Sequence, residues 1–292
     1  MSGRILDGRS IAAHHRQDLT NRVKALTAEV GGPGLAIVRF ADAGPDVAYA
    51  RSLARTATSL GIAPRDVRLP DHVTMEEAAA ALEALNRDPA VAGIVVIYPV
   101  PGHLDPDAVG QLVEPEKDVD GASPVNAARL ERGEPAFVPA TAVAVLEILD
   151  HYAVPIAGRR AVVVGRSRVV GQPTASLLAI RGANVAVAHS ETADLARATR
   201  EAQILVVAAG VPALIGPEFV NPAAIVVDCG INVTPEGVVG DVDFERVRPV
   251  VVAITPVPGG VGPVTTMMLL DQVVTAAERQ ARSAEPMKIA RA

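Results

Sequence analysis

The hydrophobic residues of the chain fall into short continuous runs, separated by longer segments in which apolar residues recur with helical spacing. Short runs rich in Val and Ile are typical of strands that are buried on both faces of a parallel sheet. In the first half of the chain, we expect Asp46 to cap the second helix. The pattern there predicts strands at 35–40, 67–69 and 93–98, a turn at 42–45, and helices at 11–26, 46–60, 75–86 and 107–113.

The second half of the chain continues this alternation of strands and helices. Strand–helix–strand order favours parallel sheets covered by helices, so we predict an α/β fold. A length of 292 residues favours two domains over one. The pattern predicts strands at 161–164, 184–188, 204–208, 224–228 and 250–254, and helices at 141–152, 174–181, 194–202 and 264–282.

Composition and charge narrow the class of protein. Hydrophobic residues make up 49% of the chain but aromatic residues only 2%, which disfavours an aromatic-rich β-sandwich. A net charge of −6 without a long basic run argues against nucleic acid as a partner. The single cysteine, Cys229, excludes an intrachain disulfide and fits a reducing compartment. Residues 1–9 have no signal-peptide pattern and no apolar run reaches membrane-spanning length, so we expect a cytoplasmic protein without a membrane partner.

One predicted strand is followed by a turn that has the features of an anion-binding site. The apolar strand at 161–164 ends at Gly165, and a helix is predicted shortly after Gly171. The backbone N–H groups of such a turn and the positive end of the helix dipole both favour a phosphate group. The spacing is Gly-x-Ser-x-x-x-Gly rather than the usual Gly-x-Gly-x-x-Gly, so an ordinary strand-to-helix turn with closely packed glycines explains it equally well.

Several dispersed motifs, taken in order, resemble one enzyme family. They are Ile5-Leu6-Asp7-Gly8, Tyr49, Lys117-Asp118-Val119-Asp120-Gly121, the turn at 165–173, His189-Ser190, Asp228-Cys229-Gly230-Ile231-Asn232, Gly240-Asp241-Val242-Asp243-Phe244 and Pro256-Val257-Pro258-Gly259-Gly260-Val261-Gly262-Pro263. In this order and spacing they resemble the methylenetetrahydrofolate dehydrogenase/cyclohydrolase family, and the match runs nearly from end to end. The proline–glycine motif at 256–263 is the most specific of them.

The resemblance implies a two-domain α/β architecture with a cleft between the domains. The N-terminal catalytic domain, which binds folate, would comprise residues 1–140 and the C-terminal helix 264–282. A Rossmann-like NADP-binding domain would comprise 141–263, and the tail at 283–292 is expected to be disordered. Members of the family oxidise 5,10-methylenetetrahydrofolate with NADP and then hydrolyse the methenyl product to 10-formyltetrahydrofolate. They are usually homodimers formed through the nucleotide domain.

The residue types at the nucleotide site favour NADP as the cofactor. An NAD site usually has an acid at the end of the second strand, whereas this strand ends at His189-Ser190 and Arg166 in the first turn suits a 2′-phosphate. Glu191 weakens that preference slightly, and a solvated surface role is the alternative for Arg166. We interpret His189 as structural, and we predict no metal site. The cofactor contacts that the resemblance implies are Gly165, Arg166, Ser167, Ser190 and Ile231.

For the folate site, the resemblance implies two catalytic candidates. Asp120 would hold the pterin ring through its N–H groups, and Tyr49 would stack on it. The alternatives are a turn aspartate that caps or is solvated and a partly buried helix tyrosine. A loop with little side-chain bulk at 258–262 would let the backbone approach the ligands closely. The substrate-binding candidates are Tyr49, Leu53, Val96, Ile97, Tyr98, Asp120, Pro258, Gly259 and Gly262.

The chain departs from the family at two positions. The family helix carries Tyr-x-x-x-Lys and the family strand reads Gly-Ile-Leu-Val-Gln-Leu-Pro, but Leu53 takes the lysine position here and Ile97 the glutamine position. Losing one member of a buried polar pair costs about 1–3 kcal/mol, whereas replacing both can be nearly neutral. We therefore interpret the two changes together as a pocket that has become apolar.

These two changes affect the two reactions of the family differently. Hydride removal leaves a cation shared by two nitrogens and needs no general base, whereas hydrolysis of the methenyl group needs a positioned acid or base. We therefore predict an NADP-dependent methylenetetrahydrofolate dehydrogenase with weak or lost cyclohydrolase activity. One alternative is a paralogue that uses the one-carbon unit, or another imine substrate, in a specialised pathway. The other is a catalytically silent protein that binds folate or nucleotide.

Overall fold

The computed structural model describes residues 3–40, 44–235 and 237–284. Half of the predicted turn at 42–45 and most of the tail at 283–292 lie outside the described residues. The helices are α1 (Gly8–Glu29), α2 (Pro45–Leu60), α3 (Met75–Arg87), α4 (Pro106–Gln111), α5 (Pro124–Glu131), α6 (Ala140–His151), α7 (Gly171–Ile180), α8 (Leu195–Arg200), α9 (Phe244–Val247) and α10 (Val261–Ala284). The strands are β1 (Arg4–Ile5), β2 (Gly34–Arg39), β3 (Ala63–Arg68), β4 (Gly93–Val96), β5 (Arg160–Val164), β6 (Asn184–Ala188), β7 (Ile204–Val207), β8 (Ile225–Asp228), β9 (Asn232–Thr234), β10 (Gly237–Val239) and β11 (Ala253–Ile254).

The chain divides into two compact units. Unit 1 comprises the residues up to His15 together with Arg129–Met268, and unit 2 comprises Arg16–Ala128 together with the residues from Leu269 onward. These bounds differ from the predicted domains at 1–15, 129–140 and 264–268. The N-terminal residues fall in unit 1 because β1 pairs in parallel with β11, with Ile5 opposite Ile254.

Unit 1 is built on a six-stranded parallel sheet with the order β1-β11-β8-β7-β5-β6. Strands β5, β7 and β8 are almost entirely buried, as their continuous Val and Ile runs predict. The chain passes from β5 outward to β6 and then crosses to β7 on the other side of β5. The crevice at such a reversal of strand order, beyond the carboxyl ends of the strands, is where open α/β sheets bind ligands.

Unit 2 contains a three-stranded parallel sheet with the order β3-β2-β4. The central strand β2 and strand β4 are buried in a core of aliphatic residues that includes Ile94, Leu82 and Val109. Helix α3 begins with a capping box: the Thr74 hydroxyl accepts the Glu77 N–H at 3.2 Å, and the Glu77 carboxylate accepts the Thr74 N–H at 2.8 Å.

Several predicted element bounds are wrong. The strand predicted at 93–98 ends at Val96. The Ile97 N–H still donates to the Val38 carbonyl, but the pairing cannot continue through Pro99 because proline has no N–H. The helix predicted from residue 174 begins at Gly171. Asp46 lies inside the first turn of α2 rather than at its N-cap, which is Gly44.

The periodicity also missed five elements, most of which are too short to produce a repeating pattern. These elements are β1, α5, the antiparallel pair β9–β10 and α9. Among the described helices, none combines the length and the apolarity that crossing a lipid bilayer requires.

Candidate functional site

A cavity of about 430 Å³ lies beyond the carboxyl ends of β5, β6 and β7 in unit 1. Its position is the one that the reversal of strand order predicts for a ligand site. Four of the five predicted cofactor residues line it, namely Gly165, Arg166, Ser167 and Ser190. The other lining residues are Val164, His189, Thr192, Leu195, Ala208, Ala209, Val211 and Leu214.

Two glycines let the backbone fold tightly at the start of this cavity. Gly165 has φ of +123°, and a Cβ added there would lie 2.1 Å from the Ala208 carbonyl oxygen. A Cβ added to Gly171 would lie 2.2 Å from the Gly165 carbonyl oxygen. The turn and the first residue of α7 are therefore packed against each other. Such a tight glycine cradle before a helix N-terminus suits a phosphate group.

The side chain of Ser167 holds the turn together. Its hydroxyl oxygen accepts hydrogen bonds from the N–H groups of Val170 at 3.2 Å and Gly171 at 3.3 Å. A hydroxyl has two acceptor lone pairs and one donor, so this arrangement leaves the O–H of Ser167 to donate. Ser167 can therefore both shape the turn and donate a hydrogen bond to a ligand oxygen.

Charged side chains lie at the mouth of the cavity. The Arg166 guanidinium forms an ion pair with the Glu191 carboxylate at 3.3 Å, and the two side chains are 54% and 70% exposed. The turn that carries Glu191 is fixed by reciprocal bonds between His189 and Thr192, both 2.9 Å long, and the Glu191 N–H donates to His189 Nδ1 at 3.3 Å. His189 thus has a structural role in this turn, as expected.

Two buried carboxylates lie behind the cavity wall. Asp241 accepts the N–H groups of Ala209 at 2.6 Å and Gly210 at 2.8 Å, and the Asn232 amide at 2.8 Å. Asp228 accepts backbone N–H groups of Gly230, Asp241 and Val242 at 2.8 to 3.1 Å. Burial raises the pKa of Asp228 to about 6, although these hydrogen bonds act in the opposite direction. The pair ties the loops after β7 and β8 together.

Ile231, the fifth predicted cofactor residue, does not line the cavity. Its side chain is 68% exposed, just before strand β9. The neighbouring Cys229 thiol is enclosed, and burial together with the charges of Asp228 and Asp241 raises its pKa well above the usual value. Among the described residues, no group of three or more His, Cys, Asp or Glu side chains is arranged to hold a metal ion.

The proline–glycine loop of unit 1 packs closely against the start of α1. A Cβ added to Gly8 would lie 1.8 Å from the Gly260 carbonyl oxygen, and the Gly8 N–H donates to the Gly259 carbonyl at 2.9 Å. Gly259 has φ of +113°, which L-residues rarely adopt. By contrast, a Cβ on Gly262 would meet nothing within 4 Å, and Pro258 is exposed. Gly259 is therefore needed by the backbone, whereas packing alone does not explain Gly262.

In unit 2, two tyrosines and an aspartate form a polar group at the end of β4. The negative charge of Asp120 raises the pKa of both Tyr49 and Tyr98, although burial of each ring is the larger cause. The pKa of Tyr98 is raised to about 12. Tyr49 is 41% exposed, so it remains partly accessible to solvent. This geometry offers a stacking surface next to a carboxylate.

The turn that carries Asp120 is held rigidly by its neighbours. Asp118 is buried and accepts the N–H groups of Ala122 and Ser123 at 3.2 and 2.9 Å, as well as the Asn126 amide at 2.9 Å. Burial raises the pKa of Asp118 despite these bonds. Gly121, at φ of +60°, closes the turn by donating its N–H to the Asp118 carbonyl at 3.0 Å. The position of Asp120 is therefore fixed before any ligand binds.

The predicted apolar positions of unit 2 are all buried. Leu53 is 1% exposed, and Ile97 and Val96 are each 6% exposed. On the same helix as Leu53, Arg51 and Arg55 are exposed, and the positive charge of Arg51 helps to lower the pKa of Asp66. Neither arginine occupies the place of Leu53.

Lys117 is the buried lysine of unit 2, and its ammonium is already engaged. It donates to the carbonyl of Asp88 at 2.8 Å and to that of Leu85 at 3.3 Å, both at the end of α3. Burial lowers the pKa of Lys117. The ammonium of Lys117 is therefore engaged at this helix end and is not placed at Leu53.

Sequence reasoning missed most of the walls of the unit 1 cavity. Thr192, Leu195, Ala208 and Ala209 line it without belonging to a recognisable motif. The signal that identifies them is position, since they follow β6 and β7 at the same edge of the sheet as Gly165.

Two family models match the chain, one for each functional half. The catalytic domain of tetrahydrofolate dehydrogenase/cyclohydrolase matches residues 6–120, and the NAD(P)-binding domain of the same family matches residues 139–281.

Relatives and solved structures agree with these models over nearly the whole chain. The bifunctional protein FolD of Streptococcus pneumoniae is 41% identical, covering 94% of this chain and 97% of that protein. The bifunctional protein FolD 2 of Frankia alni is 44% identical, covering 96% and 98%. Among solved structures, FolD of Campylobacter jejuni has a TM-score of 0.93 at 37% identity, covering 95% of this chain and 99% of its own. FolD of Trypanosoma brucei, complexed with NADP and an inhibitor, has a TM-score of 0.92 at 37% identity, covering 97% and 99%.

Proposed function

Because the chain belongs to the tetrahydrofolate dehydrogenase/cyclohydrolase family, we propose that it oxidises 5,10-methylenetetrahydrofolate to 5,10-methenyltetrahydrofolate with NADP. The observation that carries this proposal is the unit 1 cavity, in which a glycine cradle, a free hydroxyl donor and an arginine lie together. The Trypanosoma brucei relative, which has nearly the same fold, was solved with NADP.

NADP fits the side chains of this cavity. The turn between Gly165 and Gly171 would hold the pyrophosphate, and the Ser167 hydroxyl would donate to it. Arg166 and Ser190 would hold the 2′-phosphate, for which a guanidinium is well suited. Ile231 would reach the cofactor from the exposed segment before β9. When bound, NADP supplies the acceptor for the hydride.

The folate substrate would bind the polar group of unit 2. Tyr49 would offer a partly exposed ring for the pterin, and Asp120 would offer a carboxylate for its N–H groups. Tyr98, Val96, Ile97 and Leu53 would form the surrounding wall. We propose that the backbone of Pro258, Gly259 and Gly262 also contacts the substrate, because a loop with little side-chain bulk permits close approach to a ligand.

We further propose that cyclohydrolase activity is weak or lost. Hydride removal needs orientation of the two ligands but no proton transfer, so an apolar wall does not prevent it. Hydrolysis of the methenyl group requires activation of water and transfer of protons. Leu53 and Ile97 are buried aliphatic residues, and Lys117 is engaged at the end of α3, so none of them supplies a proton donor or acceptor at this site.

The buried apolar character of Leu53 and Ile97 also supports a second candidate function. A pocket with these apolar residues is expected in a paralogue that uses the one-carbon unit, or another imine substrate, in a specialised pathway. Activity with methylenetetrahydrofolate that is far below that of a bifunctional relative would favour this candidate.

The direct test is an assay of the purified protein with methylenetetrahydrofolate and NADP, in which methenyl and formyl products are measured separately. We expect methenyl product to accumulate and added methenyltetrahydrofolate to hydrolyse at the uncatalysed rate. Catalysed formation of formyl product would overturn the loss of cyclohydrolase activity, and absence of methenyl product would overturn the dehydrogenase.

A variant of the folate site sharpens this assay. We expect Asp120→Asn to lower kcat/KM for the folate about 10- to 100-fold, because a hydrogen bond to a charged group contributes about 1.5–3 kcal/mol. Asp71→Asn, at an exposed carboxylate of the same unit, is the matched control and should leave kcat/KM unchanged. Equal effects of the two variants would remove Asp120 from the folate site.

We also propose a cytoplasmic homodimer that forms through unit 1. Strand β6 pairs only with β5 and is an edge of the six-stranded sheet, with the Val187 side chain 43% exposed. An exposed apolar edge strand is a surface on which a second copy can pair. The cytoplasm is proposed because the only cysteine, Cys229, forms no disulfide within the chain.

A further inference from the structure

Two opposite charges lie at the mouth of the unit 1 cavity, and one favours NAD whereas the other favours NADP. An acid at the end of the second strand is the usual partner of the ribose hydroxyls of NAD, whereas an arginine nearby accommodates the 2′-phosphate of NADP. This protein has both at once: Arg166 lines the cavity, and Glu191 follows Ser190 directly after β6. The two side chains form an ion pair at 3.3 Å.

The position of Glu191 is set by the backbone. The turn from His189 to Thr192 is closed by hydrogen bonds in both directions, and the Glu191 N–H donates to His189 Nδ1. The Glu191 carboxylate lies closer to Arg166 than to His189, at 3.3 Å from the guanidinium and 3.9 Å from His189 Nδ1. Arg166 is therefore its nearer basic partner in this part of the described chain.

The ion pair is weak enough to exchange its partner. Both side chains are more than half exposed, and exposed pairs contribute little to stability because water screens the charges. A 2′-phosphate carries more negative charge than a carboxylate and offers several acceptor oxygens to the guanidinium. Arg166 would therefore leave Glu191 when a 2′-phosphate arrives, so the phosphate has to compete with the carboxylate for the guanidinium.

We propose that Glu191 is a specificity-determining residue that competes with the 2′-phosphate of NADP for Arg166 and accepts the ribose hydroxyls of NAD. The protein then binds both dinucleotides and discriminates between them less than Arg166 alone would allow. This inference rests on the proposed function, since it takes the unit 1 cavity as the dinucleotide site.

The test measures binding of NADP alone and of NAD alone to the full-length protein by titration calorimetry. For Glu191→Gln, we expect the Kd for NADP to fall about three- to tenfold, because the competing charge is gone, and the Kd for NAD to rise about threefold. Opposite shifts identify a selectivity residue, because a general change in the cavity would move both constants in the same direction. Glu245→Gln, at an exposed carboxylate on α9, is the control for net charge and should shift neither constant.

A second background tests whether Glu191 acts through Arg166. Arg166→Gln should raise the Kd for NADP at least about tenfold and change that for NAD less than about threefold. In this background, the gain in NADP affinity from Glu191→Gln should fall to less than about twofold. If Glu191→Gln improves NADP affinity as much without Arg166 as with it, the competition for Arg166 is overturned. If Glu191→Gln shifts the Kd values for NADP and NAD in the same direction, or shifts neither, its role in selectivity is overturned.

Failure of this inference and failure of the proposed function give different results. If the protein oxidises methylenetetrahydrofolate but Glu191→Gln leaves the ratio of the two Kd values unchanged, the inference is overturned and the proposed function stands. If the Kd values shift in opposite directions but no methenyl product forms, the inference is supported and the proposed function is overturned.

Discussion

Single residues decide what chemistry the proposed folate site of this protein can support. Leu53 and Ile97, at the positions where the family resemblance predicts a lysine and a glutamine, are 1% and 6% exposed. A buried aliphatic pair is stable without any partner, whereas a buried ammonium requires acceptors or loses its proton. The two substitutions are therefore coupled through burial, and restoring one without the other should be costly.

The first prediction concerns that coupling. Leu53→Lys alone should lower the free energy of unfolding by about 3–5 kcal/mol, because the ammonium is buried without a partner. Adding Ile97→Gln should restore about 1–3 kcal/mol by supplying an acceptor. Urea unfolding measures both values, and the assay for formyl product shows whether hydrolysis returns.

The control for this prediction lies on the same helix. Leu60 is 3% exposed, so Leu60→Lys should be as destabilising as Leu53→Lys. Ile97→Gln should not rescue Leu60→Lys if the rescue depends on the specific pair. Equal rescue of both lysines, or of neither, would contradict a direct interaction between positions 53 and 97.

The second prediction concerns the buried carboxylate of Asp228. A carboxyl whose pKa is raised on folding to about 6 binds its proton more tightly in the folded state than in the unfolded state. Its contribution to stability is therefore greatest below the unfolded pKa of about 3.9 and declines as the pH rises through about 6.

Comparison with a variant that cannot titrate isolates this contribution. The unfolding free energy of the parent protein minus that of Asp228→Asn should decrease by up to about 3 kcal/mol as the pH rises from 4 to 6.5. Urea unfolding at several pH values measures it. Asp241 and Cys229 interact with the same group, so the titration includes their influence. A difference that is constant over this range would show that the pKa of Asp228 is not raised.

At the scale of elements, the junction between β5 and α7 depends on backbone that only glycine permits. Gly165 combines a φ of +123° with a neighbouring carbonyl oxygen 2.1 Å from the position of a Cβ. The strand and the helix approach each other closely at this point. The same residue therefore shapes both the fold and the cavity that is proposed to bind the cofactor phosphate.

The third prediction follows from this dual role. Gly165→Ala should destabilise the protein by about 3 kcal/mol or more, because the clash adds to the cost of the unfavourable φ, and it should raise the Kd for NADP at least about tenfold. Gly158→Ala is the control: Gly158 also has a positive φ, +74°, but a Cβ there would meet nothing within 4 Å. The control should lose only about 1 kcal/mol and keep its NADP affinity. Similar losses in both variants would mean that the close contact at Gly165 is not essential.

Much of the element order was predictable from the sequence because buried parallel strands leave strong signals. Strands β5, β7 and β8 are continuous aliphatic runs, and their predicted positions agree with the structure to within one residue. The fold class is confirmed by the two-unit α/β architecture and by the relatives. Very short elements such as β1 and α9 were missed, because two to four residues contain no periodicity.

Site geometry was predictable only where a motif marked it. The turn at Gly165 was found by its glycines, but the roles of Asp118 and Asp241 as buried anchors were not, because burial depends on packing between distant segments. Periodicity also does not show that Lys117 closes the end of α3, since that contact joins residues about thirty positions apart in the chain. Contacts of this kind are properties of the folded chain rather than of any local pattern.

For the molecule as a whole, the remaining question is how the exposed edge of the six-stranded sheet is covered. The sheet ends at β6, which has one neighbour, and exposed apolar side chains lie along this edge: Val187 on β6 is 43% exposed and Ile180 on α7 is 57% exposed. A concavity of about 700 Å³ follows the same edge, lined by residues of β5, β6 and α8 such as Arg160, Val185 and Arg197. Natural proteins usually protect such an edge, and pairing with a second copy is one way of doing so.

The fourth prediction tests this assignment. The parent protein should be a dimer at micromolar concentration by light scattering, and Val187→Lys should weaken the dimer at least about tenfold, because a charge would be buried at the interface. Val30→Lys is the matched control, since Val30 is an equally apolar and even more exposed valine, 59% exposed, that belongs to unit 2. It should leave the dimer intact. A monomeric parent protein, or equal behaviour of the two variants, would mean that β6 is not the dimer interface; dissociation by Val187→Lys alone would place the second copy on this edge strand.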